Sequence, residues 1–233
     1  IIIFLIFFII IGITSFLTLP VLSYTPVSEL LLGTKWLPSS GIIGLFPFIM
    51  GTVWVTCVSL LIAVPLGLLC MTYIAEYAPV SMHMLIKPFF DLLAGIPSVL
   101  IGLFGIIAVV PLVRDYLAPL LGVQTTGYCI FSGSVILSLM ILPTLVSLGV
   151  EVFQAVPREM KNASFILGAT KWETFQYVTM KKGFSGLMGI ILLAFSRAAG
   201  ETMAVLMVVG NVAQVPSSIW DSGYPLPALI ANN

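Results

Sequence analysis

The sequence predicts an all-α membrane protein. Three observations carry the prediction: charge is scarce, it is missing from runs long enough to cross a bilayer, and nearly half of it is gathered into one short loop. The 233 residues include 9 Lys or Arg and 9 Asp or Glu, 8% of the chain, against 60% hydrophobic residues. A water-soluble domain carries about 25% charge and about 45–50% apolar residues. This chain therefore has too little polar surface to cover a core of its size, and its solvent is lipid.

About 20 apolar residues cross the hydrocarbon core, and each span satisfies its own backbone by forming a helix. Charge is absent from 1–28, 36–75, 92–113 and 116–150, and beyond Lys182 only Arg197 and Glu201 interrupt an apolar run reaching Val212. Five spans are expected, at 1–19, 48–74, 92–113, 128–150 and 183–212. After the fifth, Pro216, Asp221, Gly223, Pro225 and Pro227 read as a loop and not as a sixth crossing. The chain opens on Ile1 within an apolar run and stops just after Ala228, Leu229 and Ile230. The expectation is one transmembrane domain over 1–233, shortened at both ends.

Orientation follows from the excess of Lys and Arg in cytoplasmic loops. Lys87, Arg158, Lys161, Lys171, Lys181 and Lys182 fall on one side, against Lys35 and Arg114 on the other. The segment 151–182 is thus expected to be cytoplasmic, with 20–47, 114–127 and 213–233 facing outward. Several functions drop out on composition alone. Three cysteines make no complete disulfide framework, one histidine and no Cys/His cluster propose no metal site, and zero net charge without a basic tract leaves no nucleic-acid footprint. No Gly-x4-Gly-Lys-Ser/Thr loop is present to hold ATP. Gly183-Phe184-Ser185-Gly186 has the form of an intramembrane serine protease motif, but the one histidine, His83, lies far away in an earlier loop.

The loop at 151–182 holds eight of the 18 charged residues and carries helix punctuation. Pro157 suits a helix start and Gly168 a left-handed helix end, so one short helix fits between them. Thr170 with Glu173 makes a capping box, which starts a second helix at Lys171 running into the fifth span. On the first helix Met160, Ala163, Ser164 and Leu167 share a face; on the second, Trp172, Phe175 and Val178 do. Such a helix-turn-helix is either a polar connector resting on lipid headgroups or a docking element for a partner.

Arg197 and Glu201 stand four residues apart in the fifth span, which in a helix puts them on one face. A charge at a span centre costs about 2.5–3.5 kcal/mol on insertion scales, so each should meet protein or water. They form either a structural ion pair or part of an anion path, since a guanidinium offers a donor fork matched to tetrahedral oxyanions. Ser185 with Gly189, and Ser196 with Gly200, are small residues spaced to let neighbouring helices approach.

Pro157-Arg158-Glu159-Met160-Lys161-Asn162-Ala163-Ser164, followed by Leu167-Gly168-Ala169-Thr170-Lys171-Trp172-Glu173-Thr174, resembles the EAA loop of ABC-importer permeases. Asn162-Ala163-Ser164 stands where that family has Glu-Ala-Ala, Val178 at a later Ile position, and Met180-Lys181 in place of Leu-Pro. Arg197-Ala198-Ala199-Gly200-Glu201-Thr202-Met203-Ala204-Val205 is similar to the fifth span of the PstC-type phosphate permease family. Further similarity lies at 47–52, 76–79, 92–99 and 151–159.

The resemblance implies a type I ABC-importer transmembrane domain with five spans present of an expected six, in the bacterial inner membrane. It implies a second, PstA-type permease, a PstB-type ATPase dimer and an external PstS-type phosphate-binding protein as partners, with no cofactor and no catalysis by this chain. On it, Arg197, Glu201 and Thr202 line the substrate path. Arg158, Glu159, Asn162, Ala163, Ser164, Gly168, Ala169 and Thr170 couple to the ATPase. A permease for molybdate or sulfate, and a passive channel, are the competing readings.

Overall fold

The computed structural model describes Phe8, Gly12 and residues 26–232, apart from the side chains at 80, 81, 83–85, 87 and 91. The expected span at 1–19 lies outside these residues except for Phe8 and Gly12. The described chain is helical almost throughout. A short helix α1 (Val27–Leu32) and a two-residue hairpin, β1 (Trp36–Leu37) against β2 (Ile42–Ile43), lead into α2 (Phe46–Glu76). There follow α3 (Val80–Ala94), α4 (Ser98–Leu120), α5 (Ile130–Gln154), α6 (Arg158–Ile166), α7 (Lys171–Ala199), α8 (Met203–Val208) and α9 (Leu226–Asn232). Of these, α2, α4, α5 and α7 are long and apolar enough to cross a bilayer.

The second and fourth expected spans match α2 and α5, because each is a long charge-free run ended by an acid, at Glu76 and Glu151. The third does not. Gly95-Ile96-Pro97 breaks the chain, since Pro97 disfavours helix at the residue before it and has no N–H for a continuing ladder. Residues 92–94 consequently close α3, and the membrane-length helix begins at Ser98 and runs to Leu120. The fifth expected span also shifts: α7 begins at the Thr170 cap and ends at Ala199, and the segment to Val212 is a break, the short α8 and irregular chain.

The core forms where α2 and α5 run side by side in the same direction. Val55 and Ala63 of α2 bury against Ile136, Leu137, Ile141 and Leu145 of α5. The Ser134 hydroxyl of α5 donates to its own turn at Ile130 O (2.8 Å) and reaches Val55 O (3.3 Å). Satisfying such hydroxyls on nearby carbonyls lets polar residues enter an apolar core. No buried side-chain nitrogen or oxygen is left without a partner among the described residues. α7 packs antiparallel across this pair through Leu187, Ile190, Ala194 and Ala198, while α4 packs on α8.

Close helix approach does not occur at the small residues singled out by spacing. Ser185, Gly189 and Ser196 are exposed, and nothing lies within 4 Å of where a Gly189 side chain would begin. The approaches are made instead by Gly102 against Ala204, by Gly105 against Val208 and Ile136, and by Gly133 against Val209. A methyl at Gly105 would sit 2.7 Å from Val208 Cγ1 and 2.9 Å from Ile136 Cγ1. At Gly133 the obstacle is β-branched and held in one rotamer. Gly133→Ala is therefore expected to cost about 1–3 kcal/mol through overpacking. Gly189→Ala should be neutral or gain up to about 1 kcal/mol from helix propensity. Denaturation of the two variants of this chain in mixed micelles compares them directly.

Candidate functional site

The loop between α5 and α7 is built as its punctuation demands. α6 runs from Arg158 with Pro157 as its N-cap, one position earlier than a first-turn proline, and it closes on Gly168 at φ +85°. That conformation costs a side chain Cβ strain, which glycine avoids. The Thr170 hydroxyl accepts the Glu173 N–H (3.3 Å), while the Thr170 N–H and hydroxyl donate to Glu173 Oε2 at 2.7 and 2.8 Å. The capping box is complete, and α7 starts at Lys171.

The faces of the loop differ from their expected assignment. Met160, Lys161 and Ser164 of α6 turn inward, and the Ser164 and Thr174 hydroxyls share a hydrogen bond of 3.0 Å. Ala163 is exposed, and Leu167 falls beyond the last helical residue, so it leaves the face assigned by spacing. Of the residues expected to couple to an ATPase, Arg158, Glu159, Asn162, Ala163, Gly168 and Thr170 are exposed, whereas Ser164 and Ala169 are half-buried. Sequence reasoning missed the apolar tip. Ile166 and Leu167 are 85% and 88% exposed, beside an exposed Phe165. Three consecutive apolar residues next to a positive-φ turn were the available signal, hidden because Leu167 was grouped with the face of Met160 and Ser164.

On α7, residues 175–179 form a widened π turn that shifts the register. Thr174, Phe175 and Thr179 are buried and Val178 only half-buried, while Trp172 lies exposed and stacks on Phe175 (5.8 Å between centroids). The Phe175 ring meets Phe153 of α5 edge-on at 5.3 Å. Through these contacts the loop packs against the ends of α2 and α5 instead of hanging free.

Arg197 occupies the last turn of α7, where the negative end of the helix dipole favours a cation. Its guanidinium is exposed and Nη1 donates to Thr144 Oγ1 of α5 at 2.9 Å. Glu201 does not share a helix face with it. The helix ends at Ala199, and Gly200, Glu201 and Thr202 form the break before α8. Glu201 Oε1 accepts weakly from Ala204 N–H (3.4 Å) and lines a narrow crevice with Thr52, Thr56, Ala198, Pro225 and Pro227. Thr202 donates to Gly200 O at 3.3 Å. Among the described residues Arg197 has no ion-pair partner, so the structural ion-pair reading fails in this conformation. Thr144 was the partner that spacing could not reveal.

At this same end an open recess of about 770 Å³ is lined by Arg114, Thr126, Tyr128, Leu206, Met207, Asn211 and Ser222. Arg114 is already neutralised by Asp115, through contacts of 2.7 and 2.9 Å. The tail closes this end of the bundle. Ile130 N–H donates to Asp221 O, Ser222 Oγ to Tyr128 O and Leu226 N–H to Thr52 Oγ1, at 3.0, 2.6 and 2.9 Å. Trp220 lies against Phe131 and Tyr224 against Phe48.

Asp221 organises the turn that presents these groups. Its Oδ2 accepts from Ser217 N–H, Ser217 Oγ and Ser218 N–H at 2.8–2.9 Å. The Ser217 hydroxyl and backbone bonds hold the carboxyl below the usual range. A depressed folded value means that the turn is stabilised above the unfolded value of about 3.9 and loses that contribution as pH falls through the folded one. Amide exchange of residues 217–224 should accelerate as pH is lowered below about 4, after correction for intrinsic exchange. Asp221→Asn should exchange faster already at neutral pH and lose the acid-induced step.

Residues 63–231 match the family model described as the binding-protein-dependent transport system inner membrane component. The chain is 36% identical over 224 residues to the probable ABC transporter permease protein YqgH of Bacillus subtilis, covering 95% of this chain and 70% of that protein. It is 33% identical to the phosphate transport system permease protein PstC of Xylella fastidiosa over 86% of this chain and 66% of that protein. It is 29% identical to the probable phosphate transport system permease protein PstC of Methanocaldococcus jannaschii, over 99% of this chain and 78% of that protein.

Proposed function

We propose, for a chain that belongs to the family of binding-protein-dependent transport system inner membrane components, that it is the permease subunit of an ATP-driven phosphate importer. It is a membrane-spanning transport subunit and not an enzyme, with ATP hydrolysis left to a partner. The relatives named as phosphate permeases supply the substrate class. The single structural observation that supports an anion path is Arg197. Its guanidinium, exposed at one end of a membrane-length helix, is held by one neutral hydroxyl. A charge exposed on a helix in lipid is costly unless protein or water faces it. A second permease subunit packed on the exposed face of α7, which carries Ser185, Gly189 and Ser196, supplies that surrounding and encloses an aqueous path.

In this reading phosphate delivered by an external binding protein meets the free donors of Arg197. Glu201, set off by the break at Gly200, stands beside the path and accepts from the proton-bearing oxygen of hydrogen phosphate, which sulfate at neutral pH lacks. Thr202 lies at the same break. The loop at 151–182 is cytoplasmic, and its exposed residues Arg158, Glu159, Asn162, Ala163, Gly168 and Thr170, with the apolar tip at Ile166 and Leu167, dock on an ATPase dimer. Closure of that dimer moves α6, and α7 transmits the movement to Arg197. A permease for molybdate or sulfate is the less favoured reading.

Three experiments test this. Arg197→Gln should abolish uptake of labelled phosphate in phosphate-starved cells while the complex still assembles; unchanged uptake refutes the anion path. Excess sulfate or molybdate should not compete with uptake by the unaltered protein. For the docking face, Asn162→Cys in a background lacking Cys57, Cys70 and Cys129 should crosslink to the ATPase in assembled complex. Absence of any crosslink there removes the coupling role.

A further inference from the structure

The end of α2 carries an acid in an unfavourable place. Glu76 is the last residue of a 31-residue helix, where the partial negative charge of the unpaired carbonyls opposes a carboxylate. Its side chain is only 12% exposed. A group so placed persists only if specific partners hold it, and two elements supply them. Lys161 of α6 donates through Nζ to Glu76 Oε1 at 2.5 Å, with its own side chain only 16% exposed. The same ammonium reaches the Phe153 carbonyl near the end of α5, at 3.4 Å. Thr179 Oγ1, at the end of the widened turn in α7, donates to the same Glu76 oxygen at 3.1 Å.

The neighbourhood is otherwise apolar. Met71, Phe153, Phe175 and Leu187 form a buried cluster around these groups, so the pair is screened from water and its partners are not readily replaced by solvent. Widened turns are a recurrent feature of functional sites in helices, and this one positions Thr179 toward Glu76. Removal of any one partner leaves a charge or an acceptor unsatisfied in a largely closed space.

We infer that Glu76, Lys161 and Thr179 form the joint through which movement of α6 reaches the membrane helices. The inference rests on the reading of the loop as an ATPase-driven element and adds to it which residues transmit the drive. The ammonium of Lys161 ties the moving helix to α2 and α5 at once. The Thr179 hydroxyl makes the elbow of α7 follow the same carboxylate. These are positioning residues: they touch neither phosphate nor ATP.

The test uses the assembled importer in proteoliposomes, measuring ATP hydrolysed per labelled phosphate moved. Glu76→Gln and Lys161→Met should each raise that ratio about threefold to tenfold, and Thr179→Val should raise it less. The exchanged pair, Glu76→Lys with Lys161→Glu, should recover most of the loss. A ratio unchanged in Glu76→Gln, or hydrolysis and transport falling together in proportion, overturns the joint by leaving these residues a merely structural role. No recovery in the exchanged pair overturns their pairing.

A second measurement does not depend on the substrate. With nitroxide labels at Asn162→Cys and Tyr73→Cys in a cysteine-free background, the unaltered chain should give one narrow distance distribution between α6 and α2. Glu76→Gln should broaden it, and an unchanged distribution overturns the joint. If the unaltered importer moves no phosphate, the substrate assignment fails while this distance measurement still decides the joint.

Discussion

In hydrocarbon no water is at hand for an unpaired backbone group, and that constraint decides where this chain is regular and where it is not. Long helices carry the crossings. Irregular backbone at the ends is tolerated only where other segments cover it. Glu201 of the break at Gly200–Thr202 lines a crevice with Pro225 and Pro227 of the tail, and the tail's Asp221 O, Ser222 hydroxyl and Leu226 N–H bond to Ile130, Tyr128 and Thr52. Asp221 serves the same end on a smaller scale, gathering three donors of the Ser217–Ser218 turn onto one carboxylate oxygen.

The two ends of the bundle solve different problems under this one rule. At the tail end hydroxyls, amides and prolines close around α2 and α5, the Asp221 carboxylate is bound within its own turn, Arg114 pairs with Asp115, and Arg197 is left without an ion-pair partner among the described residues. At the other end charge itself becomes the fastening, with Lys161 and Glu76 placed where α2, α5, α6 and α7 converge. A buried pair of this kind adds little to stability compared with well-packed apolar residues, because both ions lose their hydration. On the proposed joint its contribution is to geometry, favouring one arrangement of α6 against α2.

What could be read from the sequence followed the range of the interactions involved. Pro157, Gly168, Thr170 and Glu173 act on their immediate neighbours, and the helix, turn and capping box they imply are present. The apolar runs of α2 and α5 were legible for the same reason. The limits of α4 and α7 were not, because average hydropathy does not register a break such as Gly95–Pro97 or Gly200–Thr202 that leaves the segment apolar. The separation of Glu201 from Arg197 follows from that second break. The widened turn at 175–179 defeated a face assignment based on regular spacing. Glu76 and Lys161 lie 85 positions apart, so only tertiary structure joins them. An acid closing a long apolar helix was nevertheless a visible oddity.

From the elbow at Thr179 to Arg197 the helix α7 is continuous. Eighteen residues at 1.5 Å each make a rod of about 27 Å, so a tilt of about 10° at the elbow swings the far end by about 5 Å. That is more than the 2.9 Å separating Arg197 from Thr144. With α5 held in place, a swing of that size breaks the hydrogen bond to Thr144, so on the proposed coupling this bond responds to the tilt of α7. On the proposed coupling, a single stiff helix is sufficient for a small angular change at the loop end of α7 to reach a guanidinium about 27 Å away, beside the middle of α5, without any intervening chain of side-chain rearrangements.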